Sequence, residues 1–142
     1  ELGGDDLLRW RSAWPDLKID QGDASIWSYF KSSKLLIFSY NSTGFLESLA
    51  LNVPTIGLWA NDKRFLRKEV LPDYQDLEDA GILFDDPIDA AAHLEAISTN
   101  LNDWWFSEKT QSTVRAFCQK YVRKTDAPLS QFRKNIKGSL CL

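Results

Sequence analysis

The sequence lacks methionine altogether, holds one histidine and two cysteines, and contains no apolar run approaching the roughly 20 residues that span a bilayer. Each scarcity excludes something. Two cysteines, Cys118 and Cys141, cannot build a disulfide scaffold or a full zinc site. No basic excess exists either: 17 Lys and Arg face 20 Asp and Glu, a formal charge of −3, which excludes a uniformly basic nucleic-acid binder. There is no internal repeat and no low-complexity tract. With no methionine even at position 1, the sequence is expected to be a piece of a longer protein.

What is present suits a folded globular chain. The 142 residues fit one domain, and 44% hydrophobic with 26% charged residues argues against disorder. The charge is unevenly placed. Residues 1–108 carry a net −10, whereas residues 109–142 carry +7, with Asp126 as the one acid. A solvated helix with a ragged end explains this, and so does a contact with anionic lipid head groups or with a missing acidic domain.

Local patterns order the chain as alternating strands and helices. Residues 1–15 show no clear period and read as irregular, with Trp10 and Trp14 as i,i+4 partners if helical. Leu17, Lys18 and Ile19 read as a short strand running into a turn at Asp20–Gly22. A helix capped by Asp23 or Ser25 follows, carrying Ile26, Tyr29 and Phe30. Leu35–Phe38 and Thr55–Trp59 are continuous apolar runs, as strands covered on both faces would be. Between them, a helix puts Phe45, Leu46, Leu49 and Ala50 inward until Pro54 stops it. Lys63–Val70 reads as a charged helix broken by Leu71–Pro72, followed by a short helix Tyr74–Ala80 with Gly81 as its left-handed cap.

Ile82–Phe84 is a brief strand. Asp86–Pro87 opens a helix expected to bury Ile88, Ala91, Ala92 and Ile97. Ser107 caps a last helix with a stripe of Val114, Phe117, Cys118, Tyr121 and Val122. Strands alternating with helices at this spacing predict a parallel, Rossmann-like α/β sheet flanked by helices. The expected division is an irregular segment 1–15, an α/β domain 16–124 and a basic tail 125–142.

In such sheets ligands bind beyond the carboxyl ends of the strands, where loops enter helices. The turn Ser39–Glu47 is the best candidate. Asn41, Ser42 and Thr43 stand at a helix start whose unpaired N–H groups favour an anion, and Gly44 would let a phosphate come close. Glu47, four residues after Thr43, shares its helix face and could accept bonds from ribose hydroxyls. An ordinary capped helix with a solvated Glu accounts for the same residues. The N-glycosylation pattern of Asn41-Ser42-Thr43 is set aside as chance, because it sits between buried strands.

The stretch Tyr40–Ile56, together with Gly81-Ile82, Asp85-Asp86-Pro87, Ala90–His93, Trp104-Trp105 and Phe117-Cys118, resembles the C-terminal domain of GT-B glycosyltransferases. Within them it is similar to bacterial surface-polysaccharide transferases of the retaining β-Kdo transferase-like group, over about Ile19–Val122. The resemblance implies the C-terminal part of a GT-B fold, with donor phosphate on Ser42 and Thr43 and the ribose on Glu47. It also implies a CMP-linked donor, Kdo or a related ulosonic acid, and a surface-glycan acceptor. A CDP-alditol or a UDP- or GDP-sugar fits the same turn. Catalytic residues would lie mainly in a missing N-terminal Rossmann-like half, so none is assigned here and this piece is expected to be inactive alone. No metal or cofactor is expected, because helix N-termini and basic side chains can stabilise the leaving phosphate.

Lys63 and Arg64, following Asn61 and Asp62 on the same rim, are candidate donor or acceptor contacts. His93 reads as a core-edge residue, and Trp104-Trp105 as packing rather than sugar stacking. Cys118 reads as a small buried hydrophobe, Cys141 as part of a frayed end, and Glu78, Asp79, Asp85 and Asp86 as surface acids near helix caps. The expected location is cytoplasmic, with a possible peripheral contact at the inner membrane face. The reading from another class is a non-catalytic α/β interaction module whose basic tail docks a partner or a membrane.

Overall fold

The computed structural model describes residues 4–20, 22–59, 62–122 and 130. They fall into two compact units, Glu1–Ser32 and Ser33–Leu142.

The first unit carries two helices, α1 (Gly4–Ala13) and α2 (Ile26–Ser32). The segment expected to be irregular up to residue 15 is thus largely helical. Good helix formers such as Leu8, Arg9, Arg11 and Ala13 sustain α1 without an apolar stripe, and Arg11 in the last turn complements the dipole. The Trp14 N–H donates to the Trp10 carbonyl at 2.9 Å, the i,i+4 relation anticipated for the pair. Ser25 Oγ accepts from the Trp27 N–H at 3.3 Å and caps α2. Of its three expected inward residues, Phe30 is buried while Ile26 and Tyr29 are exposed. Leu17–Ile19 is not a strand. Its single apolar alternation has no ladder partner among the described residues, and a strand exists only through its ladder.

The second unit is a three-stranded parallel sheet in the order β1-β2-β3, flanked by helices. β1 (Leu36–Phe38) pairs with β2 (Thr55–Leu58), which pairs with β3 (Leu83–Phe84). The helices are α3 (Thr43–Ala50), α4 (Leu71–Asp79), α5 (Pro87–Ile97), α6 (Leu101–Trp105) and α7 (Glu108–Tyr121). This is the Rossmann-like α/β class that strand–helix alternation predicts.

One face of the sheet carries the main core. Phe45 and Leu49 of α3, Tyr74 and Leu77 of α4, and Val114 and Phe117 of α7 meet Trp59 and Leu83 there. Gly57 of β2 leaves room for this packing, since a Cβ would lie 2.9 Å from Leu83 and 3.0 Å from the Phe45 ring. On the other face, Ile56 is fully buried but Ile37 is 56% exposed. The apolar run of β1 therefore does not mean cover on both sides; β1 is an edge strand with one face open.

The helices that lead into β2 and β3 end in the same way. At the end of α3, Asn52 adopts φ 56°, its N–H donates to Leu49 and the Val53 N–H donates to Ser48. After α4, Gly81 adopts φ 71°, its N–H donates to Glu78 and the Ile82 N–H donates to Leu77. Each is a Schellman motif, anticipated at Gly81 and carried by an asparagine at position 52. Trp105, fully buried, donates its indole N–H to the Asn52 carbonyl at 3.2 Å, and Trp104 donates to the Ala80 carbonyl at 3.0 Å. Gln111 of α7 donates to the Asn52 side chain and to the Trp105 carbonyl. The packing role expected of the two tryptophans is observed, with a hydrogen-bonding role added.

Three further expectations change. Lys63–Val70 is not one helix but two 3-10 turns, Asp62–Phe65 and Lys68–Val70. The cation pairs Lys63/Arg67 and Arg64/Lys68 stand at i,i+4, where like charges disfavour a continuous α-helix. Pro72 does not separate two helices but stands in the first turn of α4, where its missing N–H has no helical partner to lose. In α5 the capping by Asp86 with Pro87 next is as anticipated, yet Ile88 is 76% exposed and Ala91 and Ala92 face out. The buried stripe runs instead through Ala90, His93, Leu94 and Ile97, because the contact with β3 sets the rotation of the helix.

Trp105→Phe keeps most of the apolar volume but removes the indole donor to the carbonyl of Asn52, an exposed residue. The expected loss is about 1 kcal/mol in urea unfolding, whereas Trp105→Ala is expected to cost about 3–5 kcal/mol.

Candidate functional site

The carboxyl ends of the three parallel strands form one rim, and two of the sequence candidates sit on loops leaving it. After β1, the chain turns through Ser39, Tyr40 and Asn41, all exposed, into Ser42. Ser42 is extended (φ −132°, ψ 159°) and is the N-cap of α3, its Oγ accepting from the Phe45 N–H at 3.4 Å. The N–H groups of Thr43 and Gly44 have no acceptor among the described residues, the usual condition of a first helical turn. Thr43 is exposed and Glu47, one turn on, is half-buried, so the two present a common polar face. Neither Glu47 nor Thr43 makes a side-chain hydrogen bond to another described residue.

Gly44 behaves differently from its sequence reading. It is buried, and a Cβ there would lie 2.9 Å from the Phe38 ring. The requirement for glycine comes from the close seating of α3 on β1, with Phe38 packed edge-on against Phe45 at 6.1 Å.

The second loop leaves β2 at Trp59, whose backbone N–H donates to the Phe84 carbonyl. Asn61 lies outside the described residues, as does the side chain of Lys63. Arg64 is exposed, its guanidinium 4.8 Å above the Phe65 ring. No hydrogen bond or ion pair joins Arg64 to Ser42, Thr43 or Glu47 among the described residues; what the fold supplies is a shared rim on neighbouring strands. Sequence patterns did not mark Trp59. It is 1% exposed, lies edge-on to Phe45 at 4.9 Å, and its indole N–H has no hydrogen-bond partner among the described residues.

Two concave surfaces among the described residues lie away from the α3 start. A cleft of about 280 Å3 on the same rim is lined by Glu78, Leu83, Phe84 and the acids Asp85, Asp86 and Asp89. A larger cavity of about 660 Å3 lies at the opposite rim, where Lys34 and Pro54 lead into β1 and β2. Among the described residues no group of three or more His, Cys, Asp or Glu is placed to hold a metal.

His93 is a core-edge residue, as its helix position suggested. Its ring lies 5.2 Å from Phe84 and 5.2 Å, edge-on, from Trp104, and it fills the space over Gly81. Burial pushes its pKa below the ordinary value of 6.5, and its Nε2 has no partner among the described residues. The positive charge of the C-terminal region is partly neutralised within α7 and against α4. Arg115 pairs with Glu108 at 3.1 Å, and Lys120 pairs with Asp73, which also accepts from the Tyr121 hydroxyl. The hydrogen bond from Lys120, then that from Tyr121, holds the Asp73 carboxyl below the usual carboxylate range. The tail beyond Val122, Cys141 included, lies outside the described residues apart from Ser130. Among the described residues no helix is long and apolar enough to cross a membrane.

Parallel strands with flanking helices and an open carboxyl rim define a Rossmann-like α/β domain. A family model described as LIC12162 family transferase matches residues 2–136, and the chain belongs to that family. It is therefore a member of a transferase family, and its enzymatic class is group transfer. No curated protein and no solved structure matches the chain.

Because charging His93 costs more in the folded than in the unfolded chain, the unfolded state binds the proton more readily. Its contribution to stability is complete above about pH 6.5 and is lost as pH falls below that value towards the depressed folded pKa. Thermal midpoints from pH 7.5 to 5 should decline more steeply for the wild type than for His93→Gln, and parallel curves would refute the assignment.

Proposed function

We propose that this transferase-family chain is the donor-nucleotide-binding part of a GT-B-like glycosyltransferase. The observation that carries the reading is the Ser42-capped start of α3 at the carboxyl rim of a parallel sheet, with Thr43 and Glu47 on one solvent-facing side. Unpaired N–H groups and the helix dipole suit a phosphate, and the Thr43 hydroxyl adds a donor. Glu47 is one turn away, at the spacing that lets a carboxylate accept from the vicinal hydroxyls of a ribose. Arg64, and Lys63 beside it in sequence, would neutralise the second charge of a leaving nucleotide or the carboxylate of an acidic sugar.

The donor proposed is CMP-linked, carrying Kdo or a related ulosonic acid, and the acceptor a bacterial surface glycan. In this reading the chain binds and orients the nucleotide, and the carboxylate that completes transfer belongs to a separate Rossmann-like half. The leaving CMP phosphate is stabilised by the α3 N–H groups, so no metal is needed for that role.

Calorimetric titration of the full chain with CMP tests the site. Ser42→Ala and Glu47→Ala are each expected to weaken CMP about tenfold, or about 1.4 kcal/mol. Circular dichroism should first confirm that both variants stay folded, because losing the Ser42 cap itself costs about 1 kcal/mol. Unchanged affinity in both variants removes the nucleotide site. A larger thermal shift with CDP-glycerol, UDP or GDP than with CMP reassigns the donor while keeping the site.

A further inference from the structure

The larger cavity lies away from the proposed donor site. It opens at the rim where the strands begin, so the length of β2, at about 3.3 Å per residue, separates the two. Its volume of about 660 Å3 falls in the range of about 300–1,000 Å3 that small-ligand sites occupy. Thr99, Asn100, Asn102 and Asp103 line it, with Lys34 on one side and Phe106 at the lip.

The chemistry of this lining is specific. Asn100 stands at the N-cap position of α6, yet its side chain makes no capping bond. The side chains of Thr99, Asn102 and Asp103 likewise make no hydrogen bond to other described residues. Two amides, a hydroxyl and a carboxylate, all on exposed residues, thus face solvent around one space and are free to bond a ligand. Phe106 is 59% exposed, with an aromatic face open to solvent at the edge of that space. The single cation, Lys34, shares the cavity with Asp103, so the lining has no net charge to recommend a phosphate group.

Amides and carboxylates that both lie in a plane match the paired donors and acceptors of vicinal hydroxyls. An exposed phenyl ring complements the apolar C–H face of a pyranose. We propose that this cavity is a carbohydrate-binding subsite, taking one or two sugar residues of a glycan through Asn100, Asn102 and Asp103, with a ring seated on Phe106. The subsite does not depend on the nucleotide assignment, because it shares no residue with the α3 start. A glycan held there would not compete with a ligand at the other rim.

Titration of the 15N-labelled full chain tests this, using N-acetylneuraminic acid as a carboxylated probe and maltotriose as a neutral one. Saturable shifts at Thr99–Phe106 with either sugar are expected. Phe106→Ala and Asn102→Ala, both at exposed positions, should each weaken binding about fivefold, near 1 kcal/mol. Stronger binding of the acidic sugar that is lost in Lys34→Ala would place its carboxylate on Lys34. Equal binding of the two would support recognition through hydroxyls alone. Absence of saturable shifts at Thr99–Phe106 with both sugars, or unchanged affinity in both variants, overturns the proposal. A CMP titration on the same sample reports separately at Ser42–Glu47, so the two sites can fail independently.

Discussion

Two adjacent indoles hold the sheet domain together at one end. Trp104 and Trp105 follow one another in the short helix α6, so their side chains diverge by about 100° and reach different targets. One N–H donates to the carbonyl that ends α4, the other to the carbonyl of the left-handed residue that ends α3. Those carbonyls lie just before β3 and β2, so a single turn of helix ties the entry points of two neighbouring strands. Ala80 is buried, and a buried carbonyl without a donor costs about 1–3 kcal/mol, so the Trp104 bond matters more than its net strength suggests. Gln111 extends the same junction into α7 by bonding both Asn52 and Trp105.

With the amino rim tied in this way, the carboxyl rim is left to loops. The seating of α3 depends on a row of rings that crosses the sheet face: Phe38 on Phe45, Phe45 on Trp59, Trp59 on Tyr74, and Tyr74 on Phe117. Gly44 and Gly57 lie where rings come closest, and a methyl group at either would meet a neighbour at 2.9 Å. Close packing of this kind holds the α3 start in place on the sheet. A helix terminus aimed at an anion gains most when it is already held in place, since ordering it on binding would oppose affinity.

The proposed site was legible to different depths. Ser42 as a helix cap, and Thr43 with Glu47 on one face, follow from local spacing, and the structure has that local arrangement. The ligand they would take remains the proposed part. The close seating of Gly44 against Phe38 involves a residue on another element, which local spacing does not show. The rotation of α5 has a related cause: several apolar residues lie on it, and only contact with β3 selects Ala90, His93 and Ile97 over Ile88. In the Lys63–Val70 stretch the like charges are visible in the sequence, and they oppose a continuous helix.

Sequence alone determined the alternation of strands and helices, the parallel α/β class, and the caps at Asp86 and Ser107, and narrowed the cap of α2 to Asp23 or Ser25. These are short-range matters, decided by apolar periodicity and by which side chains can bond a nearby N–H. Tertiary structure decided which face of β1 stays open, which stripe of α5 is buried, and that Trp104 and Trp105 donate to carbonyls 24 and 53 residues away. It also placed an uncommitted polar cavity at the amino rim, from segments separated by more than 60 residues between Lys34 and Thr99. The reason is the range of the interactions. A cap or a turn is closed within four residues, whereas a hydrogen bond between distant segments exists only after the chain has folded them together.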